Sequence, residues 1–200
     1  MLRDASAPVL LGRDAGRLSI RLVDGVELVE LTASDADAAS AAFALHASAE
    51  ERQRAHRLPP GRARVFVHAH GALRLRPDAR HRSISYADGR AWAAFAASPV
   101  GLDVVAASDD GALDGRCVGP GDEAACAGLG FPPRLAAWAA KEAAAKLTGE
   151  VGREPERWRL DRSRDDVVHP GAERAIALRF VRPAQGLLAA VARYRPESAR

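Results

Sequence analysis

Residues 138–146 read Trp-Ala-Ala-Lys-Glu-Ala-Ala-Ala-Lys and lie inside the strongest helix pattern of the chain, Pro133 to Leu147. Alanine has the highest helix propensity, and proline is favoured in the first turn of a helix. Gly149 follows the last apolar residue, where a glycine commonly ends a helix. The composition therefore predicts a helix that begins at Pro133 and stops at Gly149.

The charged residues of this helix support two interpretations. Glu142 and Lys146 stand four residues apart, which is the spacing of a stabilising ion pair on an exposed helix face. However, Lys141 and Lys146 are the only lysines of the chain, whereas every other basic side chain apart from histidine is arginine. A lysine ammonium is a compact, mobile point charge, which suits a phosphate site on a helix wall.

A second informative segment, residues 99–105, reads Pro-Val-Gly-Leu-Asp-Val-Val and predicts an apolar strand that carries one carboxylate, Asp103. An unpaired buried carboxylate is costly, so it normally has a cation, a set of hydrogen bonds or a metal ion. The alternative is a strand-end aspartate that caps the following turn. Asp103 and Glu142 together could hold one Mg²⁺, which takes carboxylate oxygens and keeps several waters.

The rest of the chain alternates helix and strand patterns. Residues 18–31 alternate apolar and polar side chains around Asp24-Gly25, which predicts a β-hairpin. Each half runs from mixed helix to a hairpin, which favours an α+β fold with two related halves. The patterns predict further helices over 34–49, 50–58 and 62–75, further strands over 83–86, 91–97, 158–160, 175–182 and 187–194, a turn at Asp88-Gly89 and a loop over 109–121.

Composition and charge exclude several classes of protein. The chain has 200 residues, of which 48% are hydrophobic and 28% charged, so it is an ordinary globular chain rather than a collagen, a disulfide mini-scaffold or a disordered tail. The net charge is +3, but residues 50–90 hold ten arginines against four acidic residues, a local balance of +6. A basic stretch of this kind favours an anionic ligand or partner.

Cellular location is expected to be the cytoplasm. Residues 1–16 lack the apolar core of a secretory signal, and the weakly polar stretch 91–107 is too interrupted to span a bilayer. Cys117 and Cys126 do not form a zinc motif at their spacing, so we expect two free thiols in a reducing compartment.

The order of these segments resembles one enzyme family. Val100-Gly101-Leu102-Asp103 is similar to the Gly-(Val/Ile)-Asp strand of the 4′-phosphopantetheinyl transferases of the surfactin-synthetase-activating type. Trp138 to Lys146 is similar to that family's Trp-x-x-Lys-Glu-Ala-x-x-Lys helix. The resemblance covers about residues 18–194. Weaker similarities lie in the Glu- and Arg-rich segments 50–54 and 62–74, in the Ser-Ile-Ser-Tyr strand 83–86, and in the closing strand 187–192.

The resemblance implies an architecture and a reaction. The architecture is α+β, with two similar halves, residues 1–98 and 99–200, that form one compact unit about a pseudo-two-fold axis and hold coenzyme A in the cleft between them. The reaction moves the phosphopantetheine arm of coenzyme A to a serine of an acyl or peptidyl carrier protein, in fatty acid, polyketide or nonribosomal peptide biosynthesis. The two-half form is commonly monomeric, and it acts with Mg²⁺.

The resemblance also implies roles for individual residues. Asp103 and Glu142 would hold Mg²⁺ on the pyrophosphate, and Glu142 would help to deprotonate the acceptor serine. Lys141 and Lys146 would contact phosphate oxygens, Lys146 within the catalytic site.

The nucleotide end of coenzyme A would be held by the first half of the chain. Arg54 falls where the family has a basic contact to the 3′-phosphate, and Ser85 would lie beside the nucleotide. Tyr86 replaces the family's strand histidine. A tyrosine can still donate a hydrogen bond but carries no positive charge.

Two further departures support a different hypothesis. Val105 stands where many members have a third metal-binding carboxylate. Only eight residues separate Arg74 from Ser83, so the family's Gly-Lys-Pro segment is absent. The basic residues in that segment either replace part of its charge or form a solvated loop: Arg76, Arg80, His81 and Arg82.

The alternatives are therefore a weakened or inactive relative, and a nucleic-acid binder. The first would bind coenzyme A or a carrier protein without transfer. The second would use the arginines of residues 50–90, but no recognised nucleic-acid-binding motif accompanies them. We expect the transferase, with no membrane or nucleic-acid partner.

Overall fold

The computed structural model describes residues 10–14, 17–21, 25–31, 36–75, 80–112, 117–150, 158–161, 166–168 and 174–195. This part of the chain has an α+β fold with five α-helices and two antiparallel sheets of five strands each, which confirms the expected class. The helices are α1 (Ala36–His46), α2 (Ala49–Arg57), α3 (Pro60–Arg74), α4 (Pro120–Cys126) and α5 (Pro133–Thr148). The strands are β1 (Leu10–Asp14), β2 (Arg17–Arg21), β3 (Glu27–Glu30), β4 (His81–Ala87), β5 (Arg90–Ala96), β6 (Val100–Ala106), β7 (Arg159–Asp161), β8 (Asp166–Val168), β9 (Ile176–Val181) and β10 (Leu187–Tyr194).

Local sequence signals explain several element ends. Ser48 and Glu51 form a capping box at the start of α2, because each side chain bonds the other residue's backbone N–H. Gly149 ends α5 in the left-handed conformation, with φ of 80°, as predicted. Asp88 and Gly89 both have positive φ in the tight turn between β4 and β5, which confirms the predicted turn.

Each sheet is built from one half of the chain. The first has the order β1-β2-β3-β5-β4, and the second has the order β6-β10-β9-β8-β7. Strands β4 and β6 are therefore edge strands of different sheets, and they lie side by side in the fold. This junction brings the site residues of the two halves together.

The sheets form the middle of a layered structure. Helix α3 packs on the outer face of the first sheet, and α4 and α5 pack on the outer face of the second. The inner faces share one apolar core. The first half contributes Val26, just before β3, together with Leu28 of β3 and Trp92 and Ala94 of β5, and the second sheet contributes Leu102, Val104, Leu187, Ala189 and Val191. Alternation along β6 sends Leu102 and Val104 into this core, so its other face is directed at α5.

Several boundaries differ from the sequence predictions. The interval 109–121, predicted as a loop, contains the end of a 3-10 helix (Ala107–Ala112) and the start of α4. Strands β1 and β8 were not predicted. The pairing of β2 with β3 confirms the predicted hairpin, whereas its turn residue Asp24 and the predicted helix start at Ser34 lie outside the described residues. Among the described helices, none has the length and apolar character needed to cross a bilayer.

Candidate carboxylate–lysine site

Strand β6 presents Asp103 to helix α5 because a glycine allows the two elements to approach closely. Gly101 lies two residues before Asp103 and therefore faces the same side of the sheet. A Cβ atom on Gly101 would overlap the carbonyl oxygen of Ala143 and would lie 2.8 Å from the backbone nitrogen of Leu147. The absence of a side chain thus sets the spacing between β6 and α5 at the site.

Asp103 is buried in the middle of β6 and is held by two side chains. Its Oδ1 accepts hydrogen bonds from Lys146 Nζ at 2.6 Å and from Ser85 Oγ at 2.8 Å. Burial raises the pKa of the Asp103 carboxyl, while the charge and hydrogen bond of Lys146 act in the opposite direction. Asp103 thus has the cation and hydrogen bonds that a buried carboxylate was predicted to need, and it does not cap a turn.

Glu142 lies one helical turn before Lys146 on α5 and is half-buried. Its pKa is raised, first by burial and then by the negative charge of Asp103, whereas Lys146 lowers it. The Lys146 ammonium forms an ion pair with Asp103, and its positive charge also lowers the pKa of Glu142. The negative charge of Asp103 thus acts on Glu142, and one cation, Lys146, lies beside the two carboxylates. Two carboxylates with one cation leave an excess of negative charge, which would favour a further cation.

The structure places Lys141 elsewhere. Its side chain is fully buried, and its ammonium donates to Asp122 Oδ2 at 2.6 Å and to the carbonyl oxygen of Cys117 at 2.8 Å. Asp122 in turn accepts the backbone N–H groups of Leu160 and Gly119. Burial alone would raise the pKa of Asp122, but these hydrogen bonds and the Lys141 charge lower it. Lys141 therefore ties α5 to α4 and β7.

Sequence reasoning did not identify Asp122. No pattern pairs residues 19 positions apart across a glycine-rich segment, and the only available signal was that a lysine buried in an alanine helix needs an acceptor.

Arg54 and Tyr86 lie together on the first half. The Arg54 guanidinium is 5.5 Å from the centre of the Phe66 ring, and the Tyr86 ring stacks on the same ring at 6.2 Å. Arg54 is exposed, and the Tyr86 side chain is partly exposed. Burial raises the pKa of the Tyr86 hydroxyl, so Tyr86 is neutral at physiological pH.

An acidic–basic cluster beside this surface was also not predicted. Glu51 accepts hydrogen bonds from His70 at 3.0 Å and from Arg74 at 2.6 Å, and His70 stacks on Phe66 at 4.1 Å. The Arg74 hydrogen bond lowers the pKa of Glu51 to about 2. Burial lowers the pKa of His70. These contacts hold α2 against α3 below Arg54.

The basic residues before β4 have mixed surroundings. Arg80 and Arg82 are exposed, His81 is half-buried, and Arg82 donates to the carbonyl oxygen of Leu73 at 3.1 Å. Arg76 lies outside the described residues. Arg80 and Arg82 therefore place positive charge at the surface before and within β4.

The predicted site residues thus form two groups. Asp103, Lys146 and Ser85 meet at the junction of the two halves, with Glu142 one helical turn before Lys146. Arg54 and Tyr86 share the surface around Phe66. Lys141 belongs to neither group. The buried position of Val105 in the core against α5 is typical of a packing residue.

The carboxylates fit a divalent cation of the Mg²⁺ class. Among the described residues, no group of three or more His, Cys, Asp or Glu side chains could hold a metal ion. Mg²⁺, however, usually binds proteins through one or two carboxylates, and water and substrate phosphates complete its coordination. Both side-chain hydrogen bonds to Asp103 end on Oδ1 rather than on Oδ2, and Glu142 adds a second carboxylate. The donor types therefore fit Mg²⁺ bound together with a phosphate-bearing substrate.

Comparison with known proteins adds no family assignment. Neither the scan against protein-family models nor the search of curated proteins finds a match to this chain.

Proposed function

We propose that the protein transfers the 4′-phosphopantetheine arm of coenzyme A to a serine hydroxyl of an acyl or peptidyl carrier protein, with Mg²⁺. The phosphorus–oxygen bond to the serine forms as the pyrophosphate bond of coenzyme A breaks, and adenosine 3′,5′-bisphosphate is released. One observation carries the proposal. Asp103 on β6 and Lys146 on α5 meet at 2.6 Å, with Glu142 one turn before Lys146, although 43 residues separate the first two. These are the residues for which the resemblance implied metal and phosphate contacts.

Glu142 is suited to accept the proton of the acceptor serine. A general base works best when its pKa lies near the working pH, and burial together with the Asp103 charge raises the pKa of Glu142. The half-buried position leaves the carboxylate accessible from outside the helix. Glu142 would also hold Mg²⁺, which stabilises negative charge on the phosphoryl oxygens.

Lys146 supplies a mobile positive charge at the same place. Its side chain is 21% exposed, so its ammonium can turn from Asp103 toward a phosphate oxygen. Asp103 would be the second ligand of Mg²⁺. Lys141, whose ammonium is buried against Asp122, holds α5 in position and would not itself reach a phosphate.

The nucleotide end of coenzyme A would lie on the first half. Arg54 offers a guanidinium to the 3′-phosphate, and Tyr86 offers a neutral hydroxyl beside it. The Ser85 hydroxyl forms hydrogen bonds with Asp103 and Val104 of β6, so in this proposal Ser85 acts on Asp103 rather than on the nucleotide. The exposed Arg80 and Arg82 would replace part of the absent Gly-Lys-Pro segment.

The proposal includes the finer architecture and the setting. The two halves would be related by a pseudo-two-fold axis, with the ligand cleft between them, and the protein would act as a monomer. Coenzyme A and carrier proteins are cytoplasmic reactants, and neither Cys117 nor Cys126 is part of a disulfide, which is compatible with a reducing compartment.

A second candidate is a relative that binds coenzyme A or a carrier protein without transfer. The closed Asp103–Lys146 pair and the apolar environment of Val105 favour it, because the first competes with a metal ion and the second removes a possible ligand. The two candidates differ in one measurable property: the transferase modifies a carrier protein, and the second candidate does not.

The decisive experiment is intact-protein mass spectrometry of several apo carrier proteins incubated with this protein, coenzyme A and Mg²⁺. A mass gain of one phosphopantetheine group is expected. It should disappear with Glu142→Ala and persist with Glu123→Ala, which removes a half-buried glutamate from α4 as a matched control.

Calorimetric titration with coenzyme A separates the remaining outcomes. Binding without a mass gain on any carrier would replace the transferase with the second candidate. Neither binding nor a mass gain, from a folded protein, would overturn both.

A further inference from the structure

We infer that Ser85 is a positioning residue that holds the Asp103 carboxylate in place across the junction of the two halves. It was predicted to lie beside the nucleotide. In the structure it is buried, and its hydroxyl reaches across to β6. The consequence for Mg²⁺ rests on the proposed function, whereas the contact itself does not.

The hydrogen bonds of Ser85 fix the direction of its single proton. Its Oγ accepts the backbone N–H of Val104 at 3.0 Å, and it lies 2.8 Å from Asp103 Oδ1. A hydroxyl has one proton to donate, and an ionised carboxylate can only accept. The Ser85 proton therefore points at Asp103, which makes this a charge-assisted bond.

This bond and the Lys146 bond both end on Oδ1. Two donors on one oxygen, one from β4 and one from α5, restrict rotation of the carboxylate group. Neither of these side-chain bonds uses the other oxygen, Oδ2. Ser85 thereby makes a residue of the first half responsible for the orientation of a metal ligand in the second half.

Ser83 provides a matched control two residues away. Its Oγ accepts the backbone N–H of Leu102 at 2.9 Å, in the same way as Ser85 accepts that of Val104. Both contacts span 19 residues, so β4 and β6 run in the same direction and the two serines join them side by side. Ser85 also donates to Asp103 Oδ1, whereas the contact of Ser83 is with the backbone of Leu102. Ser83→Ala therefore removes a junction contact and leaves the carboxylate contact in place.

The test is a double-mutant cycle in unfolding by denaturant. Ser85→Ala and Asp103→Val are measured separately and together, and the cycle is repeated with Ser83→Ala. A bond to a charged group couples the two residues that form it. The combined variant Ser85→Ala/Asp103→Val should therefore raise the unfolding constant at least about fivefold less than the product of the two single effects. For Ser83→Ala combined with Asp103→Val, the change in the unfolding constant should equal the product of the two single effects. If Asp103→Val does not fold, Asp103→Ala replaces it.

A second readout uses magnesium alone, added to the intact protein. Ser85→Ala should weaken Mg²⁺ binding by roughly tenfold, as loss of a group that orients a metal ligand usually does. Ser85→Thr, which keeps the hydroxyl, should bind like the wild-type protein, and Ser83→Ala should leave Mg²⁺ affinity unchanged.

The outcomes separate this inference from the proposed function. Equal coupling for both serines would overturn the positioning role, as would equal loss of Mg²⁺ affinity in Ser85→Ala and Ser83→Ala. Coupling that is specific to Ser85 in a protein that binds no Mg²⁺ and transfers nothing would support the Ser85–Asp103 contact and overturn the proposed function.

Discussion

The two lysines of α5 differ in surroundings although only five positions separate them. At 100° per residue, five positions correspond to a large rotation about the helix axis. Lys141 therefore points into the contact with α4, and Lys146 points toward β6. One side chain is fully buried and the other is partly open to solvent. The two charges therefore have different roles. Lys141 joins α5 to Asp122 of α4, and Lys146 balances the buried carboxylate of Asp103.

Lys141→Met is expected to destabilise the protein by about 3–5 kcal/mol, because it leaves Asp122 buried without its cation. Lys141→Met combined with Asp122→Asn should recover part of this loss, since no uncompensated charge remains. Urea unfolding of the three variants measures the effect. A single substitution that costs less than about 1 kcal/mol would contradict the structural role of Lys141.

The pKa of Glu142 should respond to its two charged neighbours in opposite directions. Asp103→Asn removes a negative charge that raises this pKa, so the pKa should fall toward 4.5. Lys146→Met removes a positive charge that lowers it, so the pKa should rise. Carboxyl ¹³C NMR titration of Glu142 in the three proteins provides the measurement. Shifts of the same sign in both variants would contradict the arrangement.

The roles of some individual residues could be predicted from the sequence, and the roles of others could not. The cost of burying a charge was enough to predict that Asp103 has a partner. The unusual placement of the lysines pointed equally to Lys146, which lies beside Asp103, and to Lys141, which is buried against Asp122. The roles of Lys141 and Ser85 depend on which way a side chain turns at a contact between distant segments. Helix or strand spacing does not contain that information.

Among the secondary-structure elements, the contact between β6 and α5 is most sensitive at Gly101. Gly101→Ala places a Cβ on the Ala143 carbonyl and must push the helix away from the strand. The expected cost is about 1–3 kcal/mol or more. Because the helix carries Lys146, the Asp103–Lys146 bond should lengthen as well. Thermal unfolding measures the first effect, and a crystal structure of the variant measures the second.

Gly121→Ala is the control for that substitution. Gly121 lies in α4, and a Cβ there meets no atom within 4 Å. Alanine should therefore leave stability unchanged or raise it by about 0.5–1 kcal/mol. Equal destabilisation by both changes would show that close packing at Gly101 is not the cause.

Helix α2 depends on Glu51 and should loosen in acid. The pKa of Glu51 is lowered from 4.5 to about 2, mainly by Arg74, so the folded state favours the charged carboxylate. This stabilisation is present above pH 4.5 and is lost as pH falls toward 2. Glu51→Gln should cost about 1–2 kcal/mol at pH 7 and less at pH 2, and Glu50→Gln, at an exposed neighbour, should cost little at either pH. Urea unfolding at both pH values gives the comparison.

Elements with strong local signals were predicted, and elements that depend on distant partners were not. Proline at the start and glycine at the end defined α5, and Asp88-Gly89 defined a hairpin. Strand β8 has three residues and pairs with β7 and β9, so its existence depends on neighbours from other parts of the chain. Helix α4 has seven residues and little helical periodicity, and its Asp122 is held by Lys141 from α5.

In the whole molecule, the candidate site depends on contact between the two halves. The first half supplies Ser83 and Ser85 on an edge strand, and the second supplies Asp103, Glu142 and Lys146. Backbone pairing does not join the sheets in the observed strand order, so serine side chains replace it at the β4–β6 junction. The site therefore requires the apolar core between the inner faces of the sheets to hold this junction in register.

Because that core includes both sheets, the two halves should unfold together. Leu28 of β3 is fully buried there, in the cluster that includes Leu102 and Val191 of the second half. Leu28→Ala should cost about 2–5 kcal/mol. The loss should appear equally in the slowest-exchanging amides of β5 and β10, because one cooperative unit opens as a whole. Hydrogen exchange measured by NMR makes the comparison. If only the amides of β5 lost protection, the two halves would be independent domains. The contact of Ser83 and Ser85 with β6 could then not depend on the apolar core between the sheets.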